Sequence, residues 1–301
     1  MTVSKLSPLI EAIDAKALIH NLPADPSKNA GIKFIDARFD LGNPHYGNEA
    51  YQASHIPGAL RVDLDMDICA PKTGHNGRHP LKSQDALIAL FQDLGINVDD
   101  RVIVYDDKSG MFASHIWWIL RHLGHENVQV MNGGFSKWQS VDGAISSDIP
   151  NIHTRGNIIA RESDFNLIPL SEVLRFVEGN RHEKLQLLDA RGSARFRGEV
   201  EPLDPIAGHI PTAINYPFEQ NLNSEGLFKD AETLHQQWST FLGDIAPSTL
   251  VNQCGSGVSA CHNLFALYYA GFGPTQLYHG SWSEWCADKS RPMVTSDGLI
   301  D

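Results

Sequence analysis

The chain has 301 residues, 42% of them hydrophobic and 20% charged, with a formal net charge of −12. That length suits two domains of about 150 residues better than one core. An acidic surface without a local Lys/Arg run repels nucleic acid and anionic membranes, and no apolar stretch reaches the roughly 18 residues of a membrane span, so neither role is expected.

In chain order, the first ten residues hold Ser, Lys and Pro before any apolar pattern. They lack the basic start and unbroken apolar run of a signal peptide, which predicts a cytoplasmic location. Ser7-Pro8 reads as a helix start. Short apolar runs at 33–35, 102–105, 129–131, 187–188 and 249–252 read as buried strands. Residues 113–123 and 259–269 each read as a largely buried helix directly after a strand, and Ser171 reads as another helix start. Alternating strands and helices imply parallel sheets flanked by helices. Asp142-Gly143, Ser146-Ser147-Asp148 and Ile149-Pro150 are turn and linker signals. The expected division is a domain over 1–145, a linker over 146–166 and a second domain over 167–301.

The two halves repeat each other. Phe34-Ile35-Asp36-Ala37-Arg38 is echoed by Leu187-Leu188-Asp189-Ala190-Arg191, and His55-Ile56-Pro57 by His209-Ile210-Pro211. The spacing from Asp to His is 19 residues in the first half and 20 in the second. The 102–106 strand and its end match 249–254, which sets Asp106 opposite Cys254. Gly133-Gly134-Phe135-Ser136-Lys137-Trp138 matches Gly280-Ser281-Trp282-Ser283-Glu284-Trp285. A period near 150 residues is a duplicated domain, far too long for a solenoid repeat.

Reactive groups in open parallel sheets gather at the carboxyl ends of strands. Cys254 is at such an end, in Gln253-Cys254-Gly255-Ser256-Gly257-Val258-Ser259. Gly255 and Gly257 permit a tight turn, so backbone N–H groups at a helix start can face the sulfur. Such a site favours thiolate over thiol. The matching stretch of the first half, Asp106-Asp107-Lys108-Ser109-Gly110, has no thiol. A cysteine phosphatase needs Arg six places after its Cys to clasp phosphate; Ala260 stands there, which disfavours that chemistry. The other cysteines, Cys69, Cys261 and Cys286, form no Cys-x-x-Cys pair, so neither zinc nor a dithiol couple is expected. Cys261 reads as core, and Cys69 and Cys286 carry no evident role. His75 and His79 stand four apart, but Asn76-Gly77 breaks any helix between them, so a metal pair is weakly supported.

These residues resemble the tandem-domain rhodanese family over nearly the whole chain. The loop from Cys254 to Ala260 is similar to that of 3-mercaptopyruvate sulfurtransferases. The resemblance implies a sulfurtransferase that carries sulfur as a Cys254 persulfide, in the second of two rhodanese-like domains, without metal or cofactor. It implies 3-mercaptopyruvate as the small anionic donor and a thiol, thioredoxin or cyanide as acceptor. It also implies proton-handling roles for Ser256, His79 and Asp65. Arg195 is implied as the donor-binding cation, with Arg197 beside it, and Gly255, Gly257 and Val258 as the loop that receives the sulfur. The family usually carries a second Arg just after a Glu-Pro. Here Glu201-Pro202 is followed by Leu203 and Asp204, which leaves thiosulfate open as the alternative donor. A non-catalytic sulfur-delivery module is the rival from another class; such modules usually lose the loop Cys.

Overall fold

The computed structural model describes residues 6–20, 31–179, 185–296 and 298–300. They form two compact units. The first holds the described residues of Met1–Ile68, with Lys82–Ser163 and Gly226–Phe228. The second holds Cys69–Leu81 and the described residues of Asp164–Glu225 and Lys229–Asp301. The first-half segment Cys69–Leu81 thus belongs to the second unit. The stretch expected to be a linker is mostly tied to the first: Ser146 bridges His55, and the amides of Gly156, Ile158 and Arg161 donate to Gln92, Ile96 and Leu123 carbonyls.

The first unit runs β1 (Leu9–Glu11), α1 (Ala12–His20), β2 (Ile32–Asp36), α2 (Tyr46–Ala53), β3 (Leu60–Arg61), α3 (Gln84–Asp93), β4 (Arg101–Tyr105), α4 (Met111–His122), β5 (Val128–Asn132) and α5 (Gly134–Ser140). Its strands form one parallel sheet in the order β1-β5-β4-β2-β3. Ser7-Pro8 does not start a helix. The carbonyls of Ser7 and Pro8 accept from the Gln129 side chain and the Val130 amide, so the chain first pairs as β1 and turns helical at Ala12. Phe34, Ile56, Ile103, Tyr105, Phe135 and Trp138 pack together as the core on one face of this sheet.

The second unit repeats the plan with α6 (Leu170–Val177), β6 (Gln186–Asp189), α7 (Ser193–Phe196), β7 (Ile214–Asn215), α8 (Ala231–Leu242), β8 (Leu250–Gln253), α9 (Val258–Tyr269), β9 (Gln276–Leu277) and α10 (Ser281–Trp285). A hairpin of β10 (Met293–Thr295) and β11 (Gly298–Ile300) follows. Its parallel sheet has the order β7-β6-β8-β9. The counterpart of β1 is reduced to one parallel bridge between Leu167 and Leu277. α6 starts at Leu170 with Pro169 as its cap residue, two positions before Ser171; the Pro169 carbonyl accepts the amides of Glu172 and Val173, so Ser171 sits inside the first turn.

The repeated Asp-Ala-Arg is structural in both units. Arg38 forks onto the carboxylate of Asp36 and reaches Ser54 O at 2.7 Å, and Arg191 does the same with Asp189 and Gly208 O. All four side chains are buried, a setting in which an ionised pair must be fully hydrogen-bonded to persist. Each guanidinium also lies over an aromatic ring, Phe135 in one unit and Trp282 in the other.

Candidate active site

Cys254 follows the last residue of β8, and α9 opens four residues on. The turn between them requires Gly257 in the left-handed region, at φ 85°. A Cβ there would also come within 2.5 Å of His279 O. The amide of Gly257 donates to Cys254 Sγ at 3.2 Å, and the sulfur's residue is only 2% exposed. Val258 is buried at the first position of the helix.

α10 fixes the other side of the loop. The amides of Trp282 and Ser283 donate to the carbonyls of Cys254 and Gly255 at 3.0 and 2.9 Å. Ser281 is buried at φ 57°, a conformation that costs a side chain about 1–2 kcal/mol. Its Oγ accepts the Cys254 amide at 3.1 Å and donates to Tyr278 O at 3.0 Å.

The arm Cys69–Leu81 completes this side of the second unit. It is closed by an antiparallel bridge between Cys69 and Leu81, and Ala70 N donates to Pro80 O at 2.7 Å. Arg78 N donates to Ser283 Oγ at 2.9 Å, which anchors the arm to α10. His79 Nδ1 and Ser256 Oγ share a hydrogen bond of 2.8 Å, with both residues buried. Burial first, then the charges of Arg78 and Lys72 and nearby His279, push the His79 imidazole down to about 3, so it is neutral near pH 7.

Two guanidiniums flank Gly255. A Cβ on that glycine would stand 2.8 Å from Arg78 Nη2 and 3.4 Å from Arg195 Nη2. Arg195 holds Glu201 through Nε and Nη2 at 3.1 and 2.6 Å, and its Nη2 is 3.3 Å from Asp204 Oδ2. Arg78 Nη1 donates to the other oxygen of Asp204 at 2.5 Å. Burial pushes the Asp204 carboxyl above its usual range, against the pull of Arg78.

Against this geometry the comparisons with known proteins can be set. The rhodanese-like domain family matches residues 15–141 and 172–288. The chain belongs to the rhodanese-like family. A Pseudomonas aeruginosa protein named as a probable 3-mercaptopyruvate sulfurtransferase is 44% identical over 265 residues, covering 87% of this chain and 92% of the relative. Mouse thiosulfate sulfurtransferase is 28% identical over 267 residues, covering 84% of each chain. The crystal structure of the 3-mercaptopyruvate sulfotransferase SseA from Escherichia coli matches with a TM-score of 0.75 at 28% identity, over 92% of this chain and 99% of that one.

Within this rhodanese-like frame, Cys254, Ser256, His79, Arg195, Gly255, Gly257 and Val258 lie in the second unit around one loop. Arg197 does not join them: its fork closes on Glu199, with both side chains about half exposed. Asp65 lies in the first unit, in the short helical turn Leu64–Ile68, where its amide donates to Asp63 Oδ1. Cys261 is core as expected; its thiol donates to Gly257 O one turn below the loop, and burial holds it well above the ordinary thiol range. Burial likewise pushes Cys286 up to about 11. Among the described residues no cluster of three His, Cys, Asp or Glu could hold a metal, and no helix is long and apolar enough to cross a membrane. Sequence reasoning missed Arg78, Glu201 and Ser281. Ser281 alone left a signal, because Gly stands at its counterpart, Gly134.

Proposed function

We propose that this protein is a sulfurtransferase that takes sulfur from 3-mercaptopyruvate and carries it as a persulfide on Cys254. The observation that carries the reading is a buried thiol in a Gly-rich turn at a helix start, hydrogen-bonded by a loop amide and edged by two guanidiniums. No cation lies in the loop sequence itself, so backbone dipoles stabilise the anionic sulfur.

In the first half-reaction the Cys254 thiolate attacks the donor sulfur. An S–S bond forms, the donor C–S bond breaks, and its electron pair stays on carbon as the enolate of pyruvate. The proton of the donor thiol moves to that carbon, leaving pyruvate and the Cys254 persulfide anion. The Ser256–His79 pair is placed for this transfer: the Ser256 hydroxyl, hydrogen-bonded to the neutral imidazole at 2.8 Å, can receive one proton as it passes another on. In the second half-reaction a thiol, thioredoxin or cyanide attacks the outer sulfur, and the S–S pair returns to Cys254. Such a cycle is ping-pong. Asp65 is included as a proton-handling residue on the resemblance alone, and a cytoplasmic location rests on the sequence reading.

Thiosulfate is the second reading. Leu203-Asp204 in place of the family's second Arg favours it. The deciding measurement is kcat/KM for 3-mercaptopyruvate and for thiosulfate with cyanide as common acceptor. A preference of tenfold or more for 3-mercaptopyruvate, about 1.4 kcal/mol in transition-state binding, is expected. A preference for thiosulfate would reassign the donor, and turnover with neither would remove the sulfurtransferase reading.

A further inference from the structure

The carboxylate of Asp204 already bridges two guanidiniums at the edge of the Cys254 loop. Its Oδ1 faces Arg78 Nη1 at 2.5 Å and its Oδ2 faces Arg195 Nη2 at 3.3 Å. One planar carboxylate between two forks is the arrangement that recognises a carboxylic acid in general. Both guanidiniums sit over Gly255, the residue next to the nucleophile. Arg78 Nη2 is also 3.4 Å from Ser256 Oγ. Its Nε is buried and has no acceptor among the described residues. Arg195 is held firmly from behind by Glu201, so it keeps its position whether or not Asp204 stays. Arg78 is held at its backbone by Ser283 and leaves its side chain for an anion.

We propose that Arg78 supplies the second guanidinium of the donor-carboxylate site, and that Asp204 is an internal carboxylate occupying that site until the donor displaces it. This rests on the sulfurtransferase reading above and specifies how that site takes a carboxylate. Arg78 then replaces, from the arm Cys69–Leu81, the cation that Leu203-Asp204 does not provide. With two guanidiniums facing two carboxylates the cluster is neutral while Asp204 is in place, so displacement of Asp204 is what exposes positive charge to the donor. An anionic donor gains Coulomb energy there only as Asp204 withdraws. Asp204 therefore sets the donor's KM upward, and Arg78 sets it downward.

The experiment is the kinetics of Arg78→Ala and Asp204→Asn on the full chain, with each half-reaction measured separately. Loading of Cys254 by 3-mercaptopyruvate is followed by intact mass, and discharge of the preformed persulfide by 2-mercaptoethanol, an uncharged acceptor, is followed by the same readout. For Arg78→Ala a fall of tenfold or more in the loading kcat/KM is expected, carried mainly by KM, with discharge unchanged within about twofold. For Asp204→Asn a lower KM for loading is expected, opposite in sign. Equal losses in loading and discharge for Arg78→Ala would overturn its assignment, since they mark support of the loop rather than of the donor. A raised KM in Asp204→Asn would overturn the displaced-carboxylate role. Failure of the unmodified protein to load sulfur from any donor is a distinct result: it removes the sulfurtransferase reading, and the proposal with it.

Discussion

The Asp106 and Cys254 loops are corresponding strand-to-helix turns, the second one residue shorter, and they differ in what the turn holds. Each follows the strand next to the Asp-Ala-Arg strand, each enters its helix through a left-handed glycine, Gly110 or Gly257, and each has its first carbonyl capped by the amide of Phe135 or Trp282. In the first unit the Asp106 carboxylate accepts four amides, those of Lys108, Gly110, Phe112 and Ala113. In the second unit the Cys254 sulfur accepts one, from Gly257. The turn at a helix start thus offers an anion several donors, and a permanent carboxylate uses them where a lone sulfur does not. One loop is closed on its own side chain. The other retains amides, at Ser259 and Ala260 by position, for an anion that arrives later, which is what the outer sulfur of a persulfide would be.

The comparison breaks most sharply at the two acceptors themselves. Cys254→Ser should abolish sulfur transfer while leaving folding nearly intact, read by loss of the added sulfur in intact mass after donor treatment; retained turnover would sink the assignment of the nucleophile. Asp106→Ala leaves three buried amides and the part-buried amide of Lys108 without their carboxylate and should destabilise the first unit by roughly 3–5 kcal/mol in denaturant unfolding. A change under about 1 kcal/mol would mean water or a shifted backbone satisfies those amides.

Acid sensitivity sharpens the contrast further. His79 takes up a proton near pH 6.5 in the unfolded chain but only near 3 in the folded one. Its contribution is therefore fully present above about pH 6.5 and is lost as pH falls toward 3. Between about pH 6.5 and pH 4 this amounts to roughly 3 kcal/mol. His79→Asn should flatten that part of the stability profile of the second unit, and an unaltered profile would mean that His79 takes up its proton at the same pH in the folded and the unfolded chain. The smallest effect is expected from Ser281→Gly, which copies Gly134. Backbone strain of about 1 kcal/mol is relieved while the acceptor of the Cys254 amide is lost. Unfolding should change by less than about 1 kcal/mol, with kcat reduced a few-fold; an unchanged kcat would show that Trp282 and Ser283 alone hold the loop.

Much of this was legible in the sequence because it is local or repeated. The duplicated Asp-Ala-Arg, the glycines after Cys254 and the strand-to-helix switch are short-range patterns, and they located both sheets and the loop. The failures are non-local. Ser7-Pro8 has the composition of a helix start, and only pairing with β5, more than a hundred residues away, makes it a strand entry. Arg78 precedes His79 in a segment with no periodicity, so its approach to Asp204, 126 residues on, leaves no trace in spacing. Asp204 itself read as the absence of a cation, since the sequence cannot say that another part of the chain brings one to it. Arg197 was included only as the neighbour of Arg195, and the two point to different acidic partners, Glu199 and Glu201.

The arm Cys69–Leu81 has a consequence for taking the molecule apart. By sequence the duplicated halves meet after residue 145, and a fragment cut at 167 would carry the nucleophile, Ser256 and Arg195. It would lack Arg78 and His79, which the first half encodes and the second unit uses. The two copies of the duplicated segment are thus interlaced. Neither can be exchanged, deleted or left to drift as an independent module, and recombination between relatives would have to carry this arm together with the Cys254 half to transfer its chemistry intact.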